Sequence, residues 1–113
     1  MDKERRKQIA AEYKQQKTAG GVYRIYNKVT GKCIVKADIN MEAVKNRFAF
    51  SLKTDTCLMP KMQPDWMMHG ASSFGLEVLY ETEMKNDEVL RAFKERLKQL
   101  EEEAKEKYKD RLY

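Results

Sequence analysis

Residues 21–26 read GVYRIY and residues 31–36 read GKCIVK, and these two short stretches decide the predicted fold. Both are rich in β-branched and aromatic residues, which favour extended strands. Residues 27–32 between them are polar and include Gly31, which can adopt the positive φ that a tight turn often needs. The sequence therefore predicts a β-hairpin near the start of the chain.

Alternation within the hairpin predicts two distinct sheet faces. Side chains in a strand point to opposite faces in turn, so Tyr23 and Ile25 are expected opposite Val22. In the second strand, Cys33 shares a face with Val35, which favours a buried thiol over a reactive one. Two cysteines are too few for a disulfide framework, and neither they nor the single histidine have zinc-ligand spacing.

Downstream patterns predict helices and a third strand. Asn40 is placed to cap a helix over residues 41–53, whose predicted buried stripe is Val44, Phe48 and Leu52. A shorter helix is expected to begin near Pro64 and to end at Gly70, with Trp66 and the neighbouring methionines Met59, Met62, Met67 and Met68 packed in the core.

Two further elements close the predicted domain. Phe74, Leu76, Val78 and Tyr80 are predicted to share the buried face of a third strand. A long amphipathic helix is expected over residues 87–108, since its apolar residues recur at steps of three and four: Leu90, Phe93, Leu97, Leu100, Ala104 and Tyr108. Residues 2–17 are predicted to form a separate polar helix.

The hairpin resembles that of the GIY-YIG nuclease family. Gly21, Val22 and Tyr23 match the first family triplet, whereas Ile34, Val35 and Lys36 stand where the second triplet is expected. The resemblance extends over roughly residues 20–108, through Asp65-Trp66 with His69-Gly70 and the later strand and helix. It implies an α/β fold in which helices flank a small three-stranded sheet, with residues 1–19 as an N-terminal helix and residues 20–113 as the domain.

The resemblance implies three catalytic roles. Tyr23 would activate the attacking water, Arg47 would hold the phosphate, and Glu101 would bind a divalent metal, Mg²⁺ or Mn²⁺. Helical geometry places Glu101 at the edge of the apolar stripe, facing the sheet. Each residue also has a plain structural interpretation: a tyrosine filling the sheet face, a surface arginine and a solvated glutamate.

Departures from the family pattern favour binding over cutting. Ile34 lacks the second tyrosine hydroxyl, and Lys36 puts a long cation where the family has glycine. We therefore expect a degenerate nuclease with weak or no activity that contacts nucleic acid through Gly21, Lys36 and Arg47. Two alternatives stay open: an active metal-dependent endonuclease, and a protein-interaction module that uses the helix at residues 87–108.

Charge supports a polyanionic partner. Lysine and arginine exceed aspartate and glutamate by 23 to 18, which gives a net charge of +5 and a pI near 9.2. Residues 87–113 hold eight acidic and eight basic side chains, so the whole excess lies earlier. Nucleic acid, acidic lipid or an acidic protein would suit such a surface, and we expect DNA rather than RNA. No apolar run is long enough for a membrane span, so a cytoplasmic location is expected and the oligomeric state stays open.

Overall fold

Three antiparallel strands form the centre of the structure, a computed structural model that describes residues 19–113. The strands are β1 (Ala19–Asn27), β2 (Cys33–Asp38) and β3 (Phe74–Glu83), in the order β2-β1-β3. The predicted hairpin and three-stranded sheet are confirmed, although β1 begins one residue before the predicted start of the domain. The predicted helix at residues 2–17 lies outside the described residues.

The turn of the β1–β2 hairpin forms as its residues dictate. Gly31 has a φ of 79°, a left-handed conformation that costs glycine little. The buried side chain of Asn27 accepts a hydrogen bond from the Val29 backbone N–H at 2.9 Å, which fixes the start of the turn. This turn sets the register in which Tyr23 lies opposite Lys36.

Helix α1 (Met41–Thr54) packs against one face of the sheet. The Asn40 side chain caps it by accepting a hydrogen bond from the Ala43 backbone N–H at 3.0 Å, as predicted. Val44 and Phe48 are buried, but the prediction for Leu52 is wrong because Leu52 is exposed and Ser51 is buried instead. The buried stripe follows steps of three, four and three residues, which turns Leu52 away from the sheet.

Helix α2 (Gln63–His69) follows a single 3₁₀ turn at Pro60–Met62 and ends at Gly70, as the prolines and glycine predict. Trp66 and Met62 are buried in the core, and Met59 packs at its edge. The prediction that Met67 and Met68 join them is wrong, since these side chains are 76% and 75% exposed. Each residue after Trp66 rotates about 100° further around a short helix that buries only one face.

A β-bulge between β1 and β3 changes the face of one predicted core residue. Val22 pairs with Tyr80 and Tyr23 pairs with Val78, so Leu79 is an extra residue on β3. Tyr80 therefore lies on the Val22 face rather than with Val78, and it is half-exposed. The predicted alternation holds up to Val78 and fails beyond it.

Helix α3 (Leu90–Lys107) packs on the opposite face of the sheet from α1 and α2. It starts three residues later than predicted because residues 85–88 form a turn, in which the Glu88 N–H donates to the Lys85 carbonyl at 3.0 Å. Phe93 and Leu97 are buried, although Leu90 is exposed, contrary to prediction. Most of the apolar stripe of α3 is thus covered by the sheet and is not free to receive a partner.

The described fold has three layers, with one core on each side of the sheet. Tyr23 and Ile25 belong to the core beneath α1 and α2, and Val22 and Val35 belong to the core beneath α3, as the alternation predicts. A short 3₁₀ turn, Lys109–Arg111, follows α3. None of the helices within residues 19–113 is long and apolar enough to cross a membrane.

Candidate functional site

The predicted site residues approach one another near the carboxyl end of β2. Tyr23 projects from the central strand, Arg47 from α1 on one sheet face, and Glu101 from α3 on the other face. Arg47 donates to Asp38, Glu101 accepts from the Ala37 backbone N–H, and Tyr23 pairs with Lys36 across the sheet. The three residues, far apart in the sequence, therefore lie around the end of β2, with Arg47 and Glu101 on opposite faces of the sheet.

Tyr23 is a core residue with only 5% of its surface exposed. Burial is the main cause that raises the pKa of its hydroxyl above 10.0, and the negative charge of Asp38 adds to the effect. Arg47 lowers this pKa and Glu101 raises it further, both by smaller amounts. The hydroxyl is thus protonated at neutral pH, and its environment opposes the ionisation that a general base requires.

Arg47 is held by an acid that the sequence analysis did not single out. Its guanidinium donates from Nη2 to Asp38 Oδ2 at 2.9 Å, with 57% of the arginine side chain and 26% of the aspartate side chain exposed. The other oxygen, Asp38 Oδ1, accepts from the Asn40 backbone N–H at 2.9 Å. Asp38 is thus fixed in place between the end of β2 and the cap of α1.

Glu101 is bound at both carboxylate oxygens. Oε2 accepts the backbone N–H of Ala37 at 2.9 Å, and Oε1 lies 2.7 Å from the Lys105 ammonium. Because β2 lies at the edge of the described sheet, none of the described strands pairs with the Ala37 N–H, and Glu101 satisfies it. The predicted position at the edge of the helix stripe is correct, and the contact it makes is with the backbone of the sheet.

The donor set does not fit a divalent metal as it is arranged. Glu101 and Asp38 are the two acids that line the space at the end of β2, and each has both oxygens engaged by N–H donors or a cation. Mg²⁺ needs carboxylate oxygens that are free to bind it, completed by water or phosphate oxygens. Within residues 19–113, no group of three or more histidine, cysteine or acidic side chains is close enough together to hold an ion.

Gly21 and Lys36 have different surroundings, although both were predicted to contact nucleic acid. Gly21 is buried in the central strand, and a Cβ there would collide with the backbone carbonyl of Tyr80 on β3. Its lack of a side chain is explained by this close approach of two strands. Lys36 is exposed on the edge strand, directly opposite Tyr23, where its ammonium is accessible to solvent.

A groove of about 450 Å³ runs beside the site, between the end of β2 and α3. Ala37 and the exposed Ile39 contribute apolar surface, while Asp38 and Glu101 contribute acidic groups. Lys94 and Lys98 of α3 also line it, and neither was selected from the sequence. A helical projection places Lys94, Lys98 and Glu101 on one edge of α3. This pattern could have identified both lysines from the sequence.

Comparison with known proteins gives a likeness at the level of the fold. No family model matches the sequence, and no curated protein matches it. The chain is similar to the catalytic domain of homing endonuclease I-TevI, with 23% identity and a TM-score of 0.47 over 72% of this chain and 87% of that chain. It is also similar to a mutant of the catalytic domain of intron endonuclease I-TevI, with 23% identity and a TM-score of 0.46 over 74% and 84% of the two chains.

Both similar structures are catalytic domains of the endonuclease I-TevI. Their likeness concerns the arrangement of helices and strands. The interpretation of individual side chains therefore depends on the contacts made within this chain.

Proposed function

We propose that residues 20–113 form a GIY-YIG-like nucleic-acid-binding domain with weak or no phosphodiesterase activity. One observation carries the proposal: the three candidate groups lie around the end of β2, and each is already engaged. Tyr23 is buried and protonated, Arg47 is paired with Asp38, and Glu101 is bound by Ala37 and Lys105. This arrangement retains the architecture of a phosphate site without a group that is free to cut.

Binding is supported by the cations that remain accessible. The Arg47 side chain is more than half exposed despite its ion pair. Lys36, which directly precedes Ala37 on β2, is also exposed. An exposed ion pair is worth little, about 0.2–1 kcal/mol, so a phosphate can displace Asp38 from Arg47. Phosphate oxygens accept charge-assisted hydrogen bonds from guanidinium and ammonium groups. DNA is the proposed partner, since the whole chain has a net charge of +5, although residues 20–113 contribute only +2 of it, from 17 basic and 15 acidic side chains.

Hydrolysis would need rearrangement of several groups. A base must accept a proton from water, yet the pKa of Tyr23 is raised. A metal ligand must present free oxygens, yet Glu101 would have to release the Ala37 N–H and Lys105 first. The alternative is an active endonuclease that requires Mg²⁺ or Mn²⁺. Only the positions of Tyr23, Arg47 and Glu101 around the end of β2 favour it.

The test combines a binding assay with a cleavage assay on the full chain. Anisotropy of labelled DNA and RNA at low salt should show binding that weakens as salt rises, and Arg47→Gln should reduce it. Supercoiled plasmid incubated with Mg²⁺ or Mn²⁺ should stay uncut or be nicked only slowly.

The outcomes separate the two functions. Efficient metal-dependent nicking that Tyr23→Phe and Glu101→Gln both abolish would establish the endonuclease and refute a degenerate site. Absence of binding to every DNA and RNA tested at low salt would refute the binding function.

A further inference from the structure

We infer that a bound nucleic-acid strand continues from Arg47 across the groove at the end of β2 and along α3, where Lys94 and Lys98 hold its phosphates. The inference rests on the proposed nucleic-acid binding and specifies the path of the strand. Nothing in the family resemblance assigns a role to these two lysines.

Lys94 and Lys98 form a matched pair of cations. They are four residues apart on α3, so their side chains project from one helix edge with a rise of about 6 Å between them. Both are exposed, and neither has an ion-pair partner in the part of the chain that the structure describes. Arg91 lies one turn earlier and is paired with Glu95 only at 3.6 Å, between largely exposed side chains.

The groove joins these lysines to the candidate phosphate site. Asp38 lines the groove together with Lys94 and Lys98, and the same Asp38 accepts the hydrogen bond from Arg47. Arg47 and the two lysines therefore flank Asp38 from α1 and from α3. A strand that displaces Asp38 from Arg47 enters the groove directly, where the exposed Ile39 offers apolar surface to a sugar or base.

The other edge of α3 has a different character. Every guanidinium nitrogen of Arg96 there donates a hydrogen bond within the fold. The acceptors are Glu88, the Thr82 hydroxyl and the Glu83 carbonyl, at 2.9–3.1 Å. Lys107 is exposed and lines a separate groove near Tyr80. It is nine residues from Lys98, which places it about 180° around the helix. Lys107 is therefore a matched control: the same residue type on the same helix, facing away from the inferred path.

The experiment measures the salt dependence of binding for single glutamine substitutions. A labelled DNA duplex and a labelled single strand are titrated with wild type, Lys94→Gln, Lys98→Gln, Lys107→Gln and Arg47→Gln at several salt concentrations. Each phosphate contact contributes about 0.9 to the slope of log K against log salt for duplex and about 0.7 for a single strand. Circular dichroism melts establish that every variant is folded.

Lys94→Gln and Lys98→Gln should each reduce the slope by about one contact, and Lys107→Gln should leave it at the wild-type value. If the first two also match wild type while Arg47→Gln is reduced, the path along α3 is refuted and the proposed function stands. Equal reductions in all three lysine variants would reduce the inferred path to general charge attraction and overturn it. If wild type binds no nucleic acid, the proposed function and this inference fail together.

Discussion

At the scale of single residues, the protonation state of Tyr23 depends on its surroundings more than on its motif. The resemblance of the Gly-Val-Tyr triplet implies a catalytic role for it, but the side chain is buried in the core, where Asp38 influences its hydroxyl. Desolvation and a nearby negative charge both disfavour the ionised form. The same tyrosine therefore stabilises the fold in its neutral state, and this effect can be measured.

Stability at alkaline pH tests the state of Tyr23. Its pKa in the folded chain is raised above 10.0, so the unfolded chain loses the proton first as pH rises. Its contribution to stability is complete below pH 10 and is lost as pH passes through the folded-state pKa. Urea unfolding from pH 7 to pH 11 should show wild type losing stability more steeply above pH 10 than Tyr23→Phe.

Some alkaline loss should persist in the Tyr23→Phe variant, because the pKa of Tyr113 is also raised by burial. Parallel stability curves for the two proteins would show that Tyr23 ionises freely and would contradict its assignment as a neutral core residue.

Asp38 is a second residue-scale test, since it competes with phosphate for Arg47. Asp38→Asn keeps an acceptor for the Asn40 N–H but removes the charge paired with Arg47. We expect DNA affinity to rise about two- to fivefold, the equivalent of an exposed ion pair. Binding titrations of wild type, Asp38→Asn, Arg47→Gln and the double variant form a complete cycle.

The gain in DNA affinity from Asp38→Asn should largely disappear in the Arg47→Gln background. Glu103→Gln removes the same charge from the other edge of α3 and should have a smaller effect. A gain that survives unchanged in the Arg47→Gln background would show that Asp38 acts only through net charge.

At the scale of secondary-structure elements, α3 completes the edge of the sheet. No other strand described within residues 19–113 pairs along the outer side of β2, yet two of its backbone groups are satisfied by residues of α3 and the segment after it. Glu101 accepts the Ala37 N–H, and the Tyr113 N–H donates to the Cys33 carbonyl at 3.0 Å. These contacts protect the edge against pairing with another chain.

Substitution of Glu101 separates its structural role from a catalytic one. Glu101→Ala leaves the Ala37 N–H without its acceptor and should cost about 1–3 kcal/mol in the free energy of unfolding, measured by urea denaturation. Glu101→Gln keeps an acceptor oxygen and should cost less. Glu102→Ala changes an exposed acid beside it and should stay within about 0.5 kcal/mol of wild type.

A Glu101→Ala variant as stable as Glu102→Ala would contradict the edge-capping role. That result would also imply that the Glu101 carboxylate of the wild-type chain is available for the metal chemistry that the resemblance implies.

The elements themselves were predictable wherever local chemistry dominates. The Asn40 cap, the positive φ of Gly31 and the glycine end of α2 all follow from the preferences of single residues. The failures come from contacts between elements. The bulge that turns Tyr80 and the turn that delays α3 depend on strand register and on Glu88, neither of which periodicity reveals.

At the scale of the whole molecule, the candidate site forms where opposite layers meet. Helix α1 brings Arg47 from one sheet face and α3 brings Glu101 from the other, and both approach the end of β2. Tyr23, Arg47 and Glu101 were selected from the sequence through the family resemblance, and each lies beside residues 36–38, although Arg47 and Glu101 are on opposite faces of the sheet. Asp38 was missed because a single aspartate after a strand carries no signal until α1 packs beside it.

The most direct test is to map the residues at which nucleic acid contacts the folded chain. Isotope-labelled protein titrated with a short DNA duplex should show backbone amide shifts concentrated at residues 36–38 and at Arg47 and Lys98, with Val29 and residues 60–62 unchanged. Shifts confined to those distant residues, or no shifts at low salt, would contradict a phosphate-binding surface at the end of β2.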